Sequence, residues 1–276
     1  MEKKKKLTIL DLAEMKLHKE LITMITAYDY PFGKIVDDAG IDIILVGDSV
    51  GTVVQGVANT LPVTMDEMVY HTRLVNRARE RAVLVFDLPF MSYQEGVEQA
   101  RKNAGRAIKE TGAEAVKLEG GANMAETIEA IVSIDIPVMA HIGLTPQSVH
   151  KLGGFRVQGR DEEKRKKLIE DAKAVENAGA FAVVLELVPA EVAKEITEML
   201  SIPTIGIGSG IDCDGQVLVL HDLLGLNPGR KLKMVKQYAN VYEIAKKAVE
   251  EFCQEVRGRK FPGPEHTFYL EPGKGK

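Results

Sequence analysis

Short, continuously apolar runs alternate with amphipathic stretches along nearly all of the 276 residues, and this alternation constrains the fold more than any other feature. A strand that is apolar throughout is covered on both faces, as in a parallel sheet packed between helices. Eight such runs predict strands, over residues 21–29, 41–49, 82–89, 115–120, 136–144, 181–188, 202–208 and 216–222.

The amphipathic stretches predict helices between these strands. They cover residues 65–79, 93–110, 124–132, 161–178, 190–200 and 238–257, with a short helix at 7–18 before the first strand. Eight strands with intervening helices predict a (β/α)8 barrel, one domain over residues 1–276 with flexible tails at 1–6 and 270–276. A doubly wound sheet is the alternative fold. The glycines at 206–210 lack the spacing of a dinucleotide-binding GxGxxG motif, which disfavours it.

Composition and charge exclude several classes of protein. The 36 basic and 40 acidic residues give a net charge of −4, which argues against a nucleic-acid partner. No apolar run approaches the roughly 18 residues of a membrane span. Charge returns soon after the basic start, so we expect a cytoplasmic protein without a membrane partner. Cys213 and Cys253 stand far apart in no metal-binding pattern, and we expect two free thiols.

Ionisable residues stand near the C-terminal ends of five consecutive predicted strands, inside otherwise apolar runs. They are Asp48, Asp87, Glu119, His141 and Glu186. Barrel active sites are built at that end from several strands at once, and buried charges persist only when paired or metal-bound. A structural network of salt bridges is the alternative. We favour an active site, because charges kept for solubility would lie in loops or on exposed helix faces.

Three of these residues suggest a metal site. Asp48, Asp87 and Glu119 supply hard oxygen atoms from adjacent strands, a set that suits Mg²⁺. Zinc fits less well, because His141 is the only nitrogen ligand among the strand-end residues. The alternative is that one or two of the carboxylates only accept hydrogen bonds from the backbone.

The remaining candidates suggest acid–base chemistry on an anionic substrate. Lys117 and Glu119 are two apart on one strand and face the same way, so Lys117 pairs either with a substrate carboxylate or with Asp87 or Glu119. A carboxylate removed from water binds a proton more readily, which makes Glu186 a candidate general base. His141 is either a proton relay or ligand, or a satisfied core histidine.

These residues together predict a site that stabilises an enolate. A divalent ion neutralises the developing negative charge while a carboxylate removes a proton beside a carbonyl. The glycine-rich stretch at 143–160 is predicted to be a long loop that acts as an active-site lid. The electrophile is not specified by the residues.

The chain resembles the ketopantoate hydroxymethyltransferase (3-methyl-2-oxobutanoate hydroxymethyltransferase) family from about residue 7 to residue 268. The resemblance rests on many ordered motifs, and only the lysine-rich tails depart clearly from the family. The motifs are Ile25-Thr-Ala-Tyr-Asp29, Leu45-Val-Gly-Asp-Ser49, Thr60-Leu-Pro-Val-Thr64, Tyr70-His-Thr72, Asp87-Leu-Pro-Phe-Met91, Val116-Lys-Leu-Glu-Gly-Gly121, His141-Ile-Gly-Leu-Thr-Pro-Gln-Ser148, Val157-Gln-Gly-Arg160, Ile205-Gly-Ile-Gly208 and Pro262-Gly-Pro-Glu-His266.

The resemblance implies a barrel of the phosphoenolpyruvate mutase and isocitrate lyase group. It implies Mg²⁺ bound by Asp48, Asp87 and Glu119. It also implies a homo-oligomer, typically a decamer.

For the substrate and the base, the resemblance assigns four positions. The 2-oxo acid is expected to contact Ser49, Asp87 and Lys117, beside Asp48 of the metal site. Glu186 is expected to be the proton acceptor. All of these positions are intact in this chain.

The implied reaction is specific. Glu186 removes the C3 proton of 3-methyl-2-oxobutanoate, and the Mg²⁺-stabilised enolate attacks the one-carbon unit of 5,10-methylenetetrahydrofolate, giving 2-dehydropantoate and tetrahydrofolate. His141 is expected to hold or relay a proton near the folate.

Two competing functions stay open. A Mg²⁺-dependent carbon–carbon lyase or phosphonomutase on the same barrel would use the same ligands without folate, but the Lys-Lys-Cys-Gly-His segment of such lyases is missing here. A non-enzymatic barrel that binds a metal or a metabolite is the other. Binding alone does not need a base such as Glu186.

Overall fold

The computed structural model describes residues 5–152, 154, 156–227, 229 and 232–270. Most of the two predicted tails, residues 1–4 and 271–276, lies outside the described residues, as does Gly153 of the predicted lid. Lys6, from the first predicted tail, forms an ion pair with Glu114 at 2.8 Å. None of the helices formed by the described residues is long and apolar enough to cross a membrane.

Eight parallel strands form a closed barrel in chain order, with β8 paired to β1. This confirms the predicted (β/α)8 fold. The strands are β1 (Ile22–Thr26), β2 (Ile43–Val46), β3 (Val83–Asp87), β4 (Ala115–Glu119), β5 (Val138–Gly143), β6 (Ala182–Glu186), β7 (Thr204–Ile207) and β8 (Gly215–Leu218).

Helices lie between most of these strands. They are α1 (Ile9–Leu17), α2 (Tyr30–Asp38), α3 (Val50–Val53), α4 (Met65–Ala78), α5 (Val97–Thr111), α6 (Ala125–Val132), α7 (Val149–Leu152), α8 (Glu162–Asn177), α9 (Ala190–Met199), α10 (Leu220–Leu224) and α11 (Val241–Arg257). By contacts, one compact unit holds the barrel up to Leu220 together with residues 232–235. The other holds the rest of the described C-terminal part, including α11.

The predicted boundaries need two corrections. The apolar run at 216–222 was predicted as one strand, but it contains the last strand and the first residues of α10. The predicted helices do not include the short helices α2, α3, α7 and α10. The start of α2 is set locally, because the Asp29 carboxylate accepts a hydrogen bond from the Phe32 N–H at 2.8 Å and Pro31 lies in the first turn.

Helix α1 supplies part of the barrel core. Its N-terminus is a capping box, in which Thr8 and Asp11 each accept a hydrogen bond from the other's backbone N–H. Leu12 is fully buried in the apolar cluster that fills the barrel interior. The cluster also contains Ile22, Met24, Ile43, Leu45, Val83, Val85, Ala115, Met139, Ala182, Val184, Ile205, Ile207 and Val217. The helix therefore belongs to the core that supports the strands from which the candidate site is built.

Replacing Leu12 with alanine should lower the free energy of unfolding by about 2–5 kcal/mol, because it leaves a cavity in a closely packed core. Leu10 is the matched control, since it lies on the same helix with 73% of its surface exposed. Leu10→Ala should change the free energy by less than about 0.5 kcal/mol. Denaturation in urea, followed by circular dichroism at one protein concentration, measures both. Equal losses would contradict a core role for α1.

Candidate active site

Six ionisable side chains are buried together near the C-terminal ends of four neighbouring strands, β3 to β6, and just after β2. None is more than 8% exposed, and they are Asp48, Asp87, Lys117, Glu119, His141 and Glu186. The sheet register places Asp87 beside Lys117 and Glu119 beside His141 on adjacent strands. The structure therefore brings together all five strand-end residues singled out in the sequence.

Lys117 and Asp87 form a buried ion pair at the centre of this cluster. The Lys117 ammonium donates to Asp87 Oδ1 at 2.7 Å, and Asp87 Oδ2 accepts the Asp48 N–H at 3.2 Å. Burial alone would lower the pKa of Lys117, but the carboxylates of Asp87, Glu119 and Asp48 outweigh burial and raise it. The structure shows Lys117 paired with Asp87, and its contact with a substrate carboxylate stays a prediction.

The surroundings of Asp48 and Asp87 disfavour the ionised form of each carboxylate. Burial, followed by the charges of Asp87 and Glu119, raises the pKa of Asp48 well above its ordinary value. Burial also raises the pKa of Asp87, although the Lys117 ammonium opposes that rise. Another positive charge near these carboxylates would favour their ionised forms.

His141 lies between two carboxylates from the neighbouring strands. Its Nδ1 is 3.5 Å from Glu119 Oε1, and its Nε2 is 3.3 Å from Glu186 Oε2. Burial and the Lys117 charge lower the pKa of His141, but its contacts with Glu119 and Glu186 prevail and raise it to about 9. At neutral pH the ring is therefore an imidazolium, which bridges Glu119 and Glu186. This geometry differs from that of an isolated core histidine.

The charges of the cluster do not balance. With all six side chains ionised, four carboxylates and two cations give −4 + 2 = −2. Glu119 Oε1 and both ring nitrogens of His141 are buried without a hydrogen bond to any described residue. A divalent cation among these oxygen donors would supply the two missing positive charges and would favour the ionised forms of Asp48 and Asp87.

The carboxylates do not form a closed metal cage. Among the described residues, no three His, Cys, Asp or Glu side chains are grouped as ligands of one ion. Mg²⁺ commonly keeps several water molecules and takes only one or two carboxylates from the protein. The donor set thus fits a Mg²⁺ ion that shares its shell with water and substrate.

Ser49 lies at the start of α3, directly after Asp48. Its hydroxyl shares a hydrogen bond 2.8 Å long with the hydroxyl of Tyr28, which is buried in the loop after β1. The Tyr28 carbonyl accepts a hydrogen bond from His71 Nδ1 at 2.7 Å. Nothing in the sequence strongly indicates a role for His71 in the site, and the sequence marks Tyr28 only as part of the motif Ile25-Thr-Ala-Tyr-Asp29.

Gln147 and Tyr93 also belong to the cluster, and neither was selected as a site residue. Gln147 lies in the turn Pro146–Ser148 after β5, and its side-chain amide donates to Asp48 Oδ2 at 2.9 Å. The Tyr93 hydroxyl donates to Gln147 Oε1 at 2.7 Å. The one signal in the sequence was the position of Gln147 within the motif that begins at His141.

The predicted lid is only partly a loop. The turn Pro146–Ser148 and the helix α7 occupy part of the stretch 143–160, while Gly153 and Phe155 lie outside the described residues. Its role as a lid stays a prediction.

A cavity of about 530 Å³ opens beside Glu119, next to the ends of β4 and β5. Its wall contains aromatic and apolar side chains together with polar groups of the cluster. They include Phe90, Tyr93, Glu119, Ile142, Gln147 and Leu168. The cluster therefore adjoins a space large enough for an organic ligand, in the usual range of roughly 300–1,000 Å³.

The model of the ketopantoate hydroxymethyltransferase family matches residues 6–264 of the chain. The chain belongs to the ketopantoate hydroxymethyltransferase family. The 3-methyl-2-oxobutanoate hydroxymethyltransferase of Geobacter metallireducens is 58% identical over 264 residues, covering 96% of this chain and 99% of the relative. That of Syntrophotalea carbinolica is 56% identical over 268 residues, covering 97% of this chain and all of the relative (100%).

Membership of the ketopantoate hydroxymethyltransferase family confirms the resemblance noted in the sequence. It also confirms the predicted enzyme class, a hydroxymethyltransferase that acts on 3-methyl-2-oxobutanoate. The lyase or phosphonomutase alternative is correspondingly disfavoured.

Solved structures with the same fold belong to other enzymes. A phosphonopyruvate hydrolase in complex with oxalate and Mg²⁺ aligns with a TM-score of 0.61 over 94% of this chain and 93% of its own, at 12% identity. A 2,3-dimethylmalate lyase, described as a member of the phosphoenolpyruvate mutase and isocitrate lyase superfamily, has a TM-score of 0.58 over 97% and 91%, at 15% identity. Identities this low bear on the fold alone, and these two alignments agree with the (β/α)8 barrel.

Replacing Lys117 with methionine should lower the free energy of unfolding by about 3–5 kcal/mol, because Asp87 keeps its place but loses its buried counter-charge. Lys34→Met is the control. Lys34 forms a surface ion pair with Asp38 at 2.6 Å, and its loss should cost less than about 1 kcal/mol. Urea unfolding at neutral pH compares the two. A Lys117 variant as stable as the Lys34 variant would contradict the proposed imbalance of buried charge.

Proposed function

We propose that the six-residue cluster is the active site at which a hydroxymethyl unit passes from 5,10-methylenetetrahydrofolate to C3 of 3-methyl-2-oxobutanoate. The observation that carries the proposal is the contact between the Glu186 carboxylate and the His141 imidazolium. This pair lies beside a buried group of carboxylates that has fewer positive than negative charges. The C3–H bond and the two C–N bonds of the donated methylene carbon break, and C3 bonds to that carbon. Water supplies the hydroxyl group, and the protons from C3 and from water go to the two folate nitrogens. The products are 2-dehydropantoate and tetrahydrofolate.

Glu186 is the proton acceptor in this proposal. Its carboxylate is buried at the end of β6, 3.3 Å from His141 Nε2. A base fixed beside a cation keeps its orientation. The His141 imidazolium carries a proton on each ring nitrogen, so it can take the C3 proton from Glu186 only after it has donated its own Nε2 proton. His141 is accordingly placed as the relay. The carboxylate of Glu119 faces the other ring nitrogen of His141, Nδ1, and holds the ring in position.

Asp48, Asp87 and Glu119 would hold the divalent ion, one or two of them directly and the rest through its water molecules, and we take the ion to be Mg²⁺. When bound, Mg²⁺ would stabilise the negative charge that develops on the keto oxygen as C3 loses its proton. The hard oxygen donors, the net negative charge and the raised pKa values of Asp48 and Asp87 support this assignment.

The 2-oxo acid is placed against Ser49 and Lys117, next to Asp48 and Asp87. An ammonium group has three N–H donors, and Asp87 accepts from one of them, so Lys117 can also donate to a substrate carboxylate. The Ser49 hydroxyl is oriented by Tyr28 and lies beside the metal-binding carboxylates.

The cavity beside Glu119 is assigned to the folate. At about 530 Å³ it is far larger than 3-methyl-2-oxobutanoate alone requires, and a second, larger substrate accounts for the difference. Phe90, which lines this cavity and is 38% exposed, supplies aromatic surface of the kind on which a flat ring system packs.

We further place the enzyme in the cytoplasm as a homo-oligomer, a decamer by analogy with the family. Both cysteines are free, which suits a reducing compartment. The helix α11 has no buried residue and exposes Ile244, Val249 and Phe252, which suits a chain that associates with copies of itself.

Exchange of the C3 proton in D₂O tests whether Glu186 is the base, and the experiment needs no folate. The wild type should exchange the proton of 3-methyl-2-oxobutanoate in the presence of Mg²⁺, as followed by NMR. Glu186→Gln should lower the exchange rate by at least about 10²-fold, while substrate binding changes much less. Glu191→Gln is the control, because Glu191 is exposed on α9 nearby. Exchange that survives in Glu186→Gln would remove Glu186 from the role of base.

Metal binding tests the ion site directly. Electron paramagnetic resonance of Mn²⁺ titrated into metal-free protein gives a dissociation constant without turnover. Asp48→Asn should raise that constant at least about tenfold, because even residues behind the ligands commonly contribute that much. Asp38→Asn, at an exposed carboxylate, should leave it unchanged. Equal affinity in the two variants would count against Asp48 as a ligand.

A further inference from the structure

Gln147 is the most fully hydrogen-bonded polar side chain around the cluster, although it carries no charge. Its side chain is buried, and the residue takes part in five hydrogen bonds. The backbone N–H donates to Glu119 Oε2 at 2.9 Å, and Nε2 donates to Asp48 Oδ2 at 2.9 Å and to the Leu88 carbonyl at 3.0 Å. Oε1 accepts from Tyr93 at 2.7 Å and from Gln94 at 3.1 Å.

The orientation of this amide is determined by its surroundings. The Leu88 carbonyl can only accept a hydrogen bond, so the amide nitrogen must face it. A flipped amide would set its oxygen against that carbonyl and against Asp48, leaving buried acceptors without donors. The same nitrogen therefore always reaches Asp48.

Tyr93 reinforces this orientation and links it to Glu119. Its hydroxyl accepts the Glu119 N–H at 3.1 Å and donates its single proton to Gln147 Oε1 at 2.7 Å. Tyr93 is also buried, at 1% exposure, and the other acceptor within reach of that proton, the Glu119 carbonyl, is farther away at 3.3 Å. The backbone of β4 and the side chain of Gln147 are thus connected through one phenol.

The hydrogen bonds from Gln147 reach only one of the two oxygens in each of two carboxylates. Asp48 Oδ2 and Glu119 Oε2 each accept one N–H from Gln147. Glu119 Oε1 is buried without a hydrogen bond to any described residue. One oxygen of each carboxylate is held by the same residue. The other oxygen of Glu119 faces His141 Nδ1 at 3.5 Å, and neither it nor the other oxygen of Asp48 is bound by Gln147.

We propose that Gln147 is a positioning residue, which holds Asp48 and Glu119 by one oxygen each so that their other oxygens stay available to the divalent cation. The inference rests on the proposed metal site. It adds a residue that does not touch the cation and acts through Asp48 and Glu119. Two carboxylates brought close together repel each other, and a neutral donor to both holds them in place without supplying a competing positive charge.

A merely structural role would have a different signature. If Gln147 only tied the loop after β5 to the barrel, its loss would lower stability and leave the affinity for a divalent ion unchanged. Metal affinity therefore separates the two roles, provided that stability is measured beside it.

The experiment titrates Mn²⁺ into metal-free protein and measures free Mn²⁺ by electron paramagnetic resonance. Gln147→Met keeps the length of the side chain and removes its donors, and the dissociation constant should rise about 10- to 100-fold. Tyr93→Phe removes the orienting hydroxyl but leaves the Leu88 carbonyl in place, so it should raise the constant by a smaller factor. Gln99→Met, on α5 away from the cluster, is the control and should leave the constant unchanged.

Thermal unfolding of each metal-free variant is measured alongside. An unchanged dissociation constant in both Gln147→Met and Tyr93→Phe would overturn the inference, whatever their stability. A wild type that binds no Mn²⁺ would also overturn it. If Gln147→Met does not fold, the Tyr93→Phe constant decides alone.

Failure of the proposed reaction would be recognised separately. Proton exchange at C3 of 3-methyl-2-oxobutanoate by the wild type reports on the reaction. A wild type that fails to exchange while Gln147→Met still weakens Mn²⁺ binding would reject the function and retain the positioning role.

Discussion

Four carboxylates buried with only two cations are the constraint on which the rest of this site depends. Such a group is unfavourable in an apolar barrel unless every charge is paired or hydrogen-bonded. Lys117 compensates Asp87, and the His141 imidazolium lies between Glu119 and Glu186. When all four carboxylates are ionised, two negative charges remain without a counter-charge, and a divalent ion would balance them. The surrounding hydrogen bonds hold Asp87, Glu119 and Asp48 in fixed positions around this charge.

The barrel makes this concentration of charge tolerable. Parallel strands end at one face, so residues far apart in the chain meet there, while the interior below is filled with apolar side chains. Close packing at the rim also needs particular residues. Gly143 has a φ of +92°, and a Cβ on it would lie 2.3 Å from the Glu186 carbonyl oxygen. Only glycine allows β5 and β6 to approach at the point where His141 and Glu186 meet.

The sequence predicted the fold and the ionised residues because both leave a pattern along one chain. A charge at the end of an apolar run is conspicuous, which is why Asp87 and Glu186 could be selected. Gln147 and Tyr93 were not selected, because a neutral amide and a phenol become informative only when their partners are known. For the same reason the sequence left two roles open for His141. The choice depends on distances to Glu119 and Glu186, which belong to different strands.

Enzymes of quite different chemistry share this barrel at 12% to 15% identity. The fold therefore does not determine which electrophile reacts. The choice must come from groups beside the carboxylates rather than from the carboxylates themselves. Here Gln147 and Glu119 line the cavity assigned to folate, and both also take part in the hydrogen bonds around the metal-binding oxygens. A ligand in that cavity would lie against the residues that hold the carboxylates. If the proposed sites are correct, the position of the second substrate and the geometry of the ion site would be coupled through the same few hydrogen bonds.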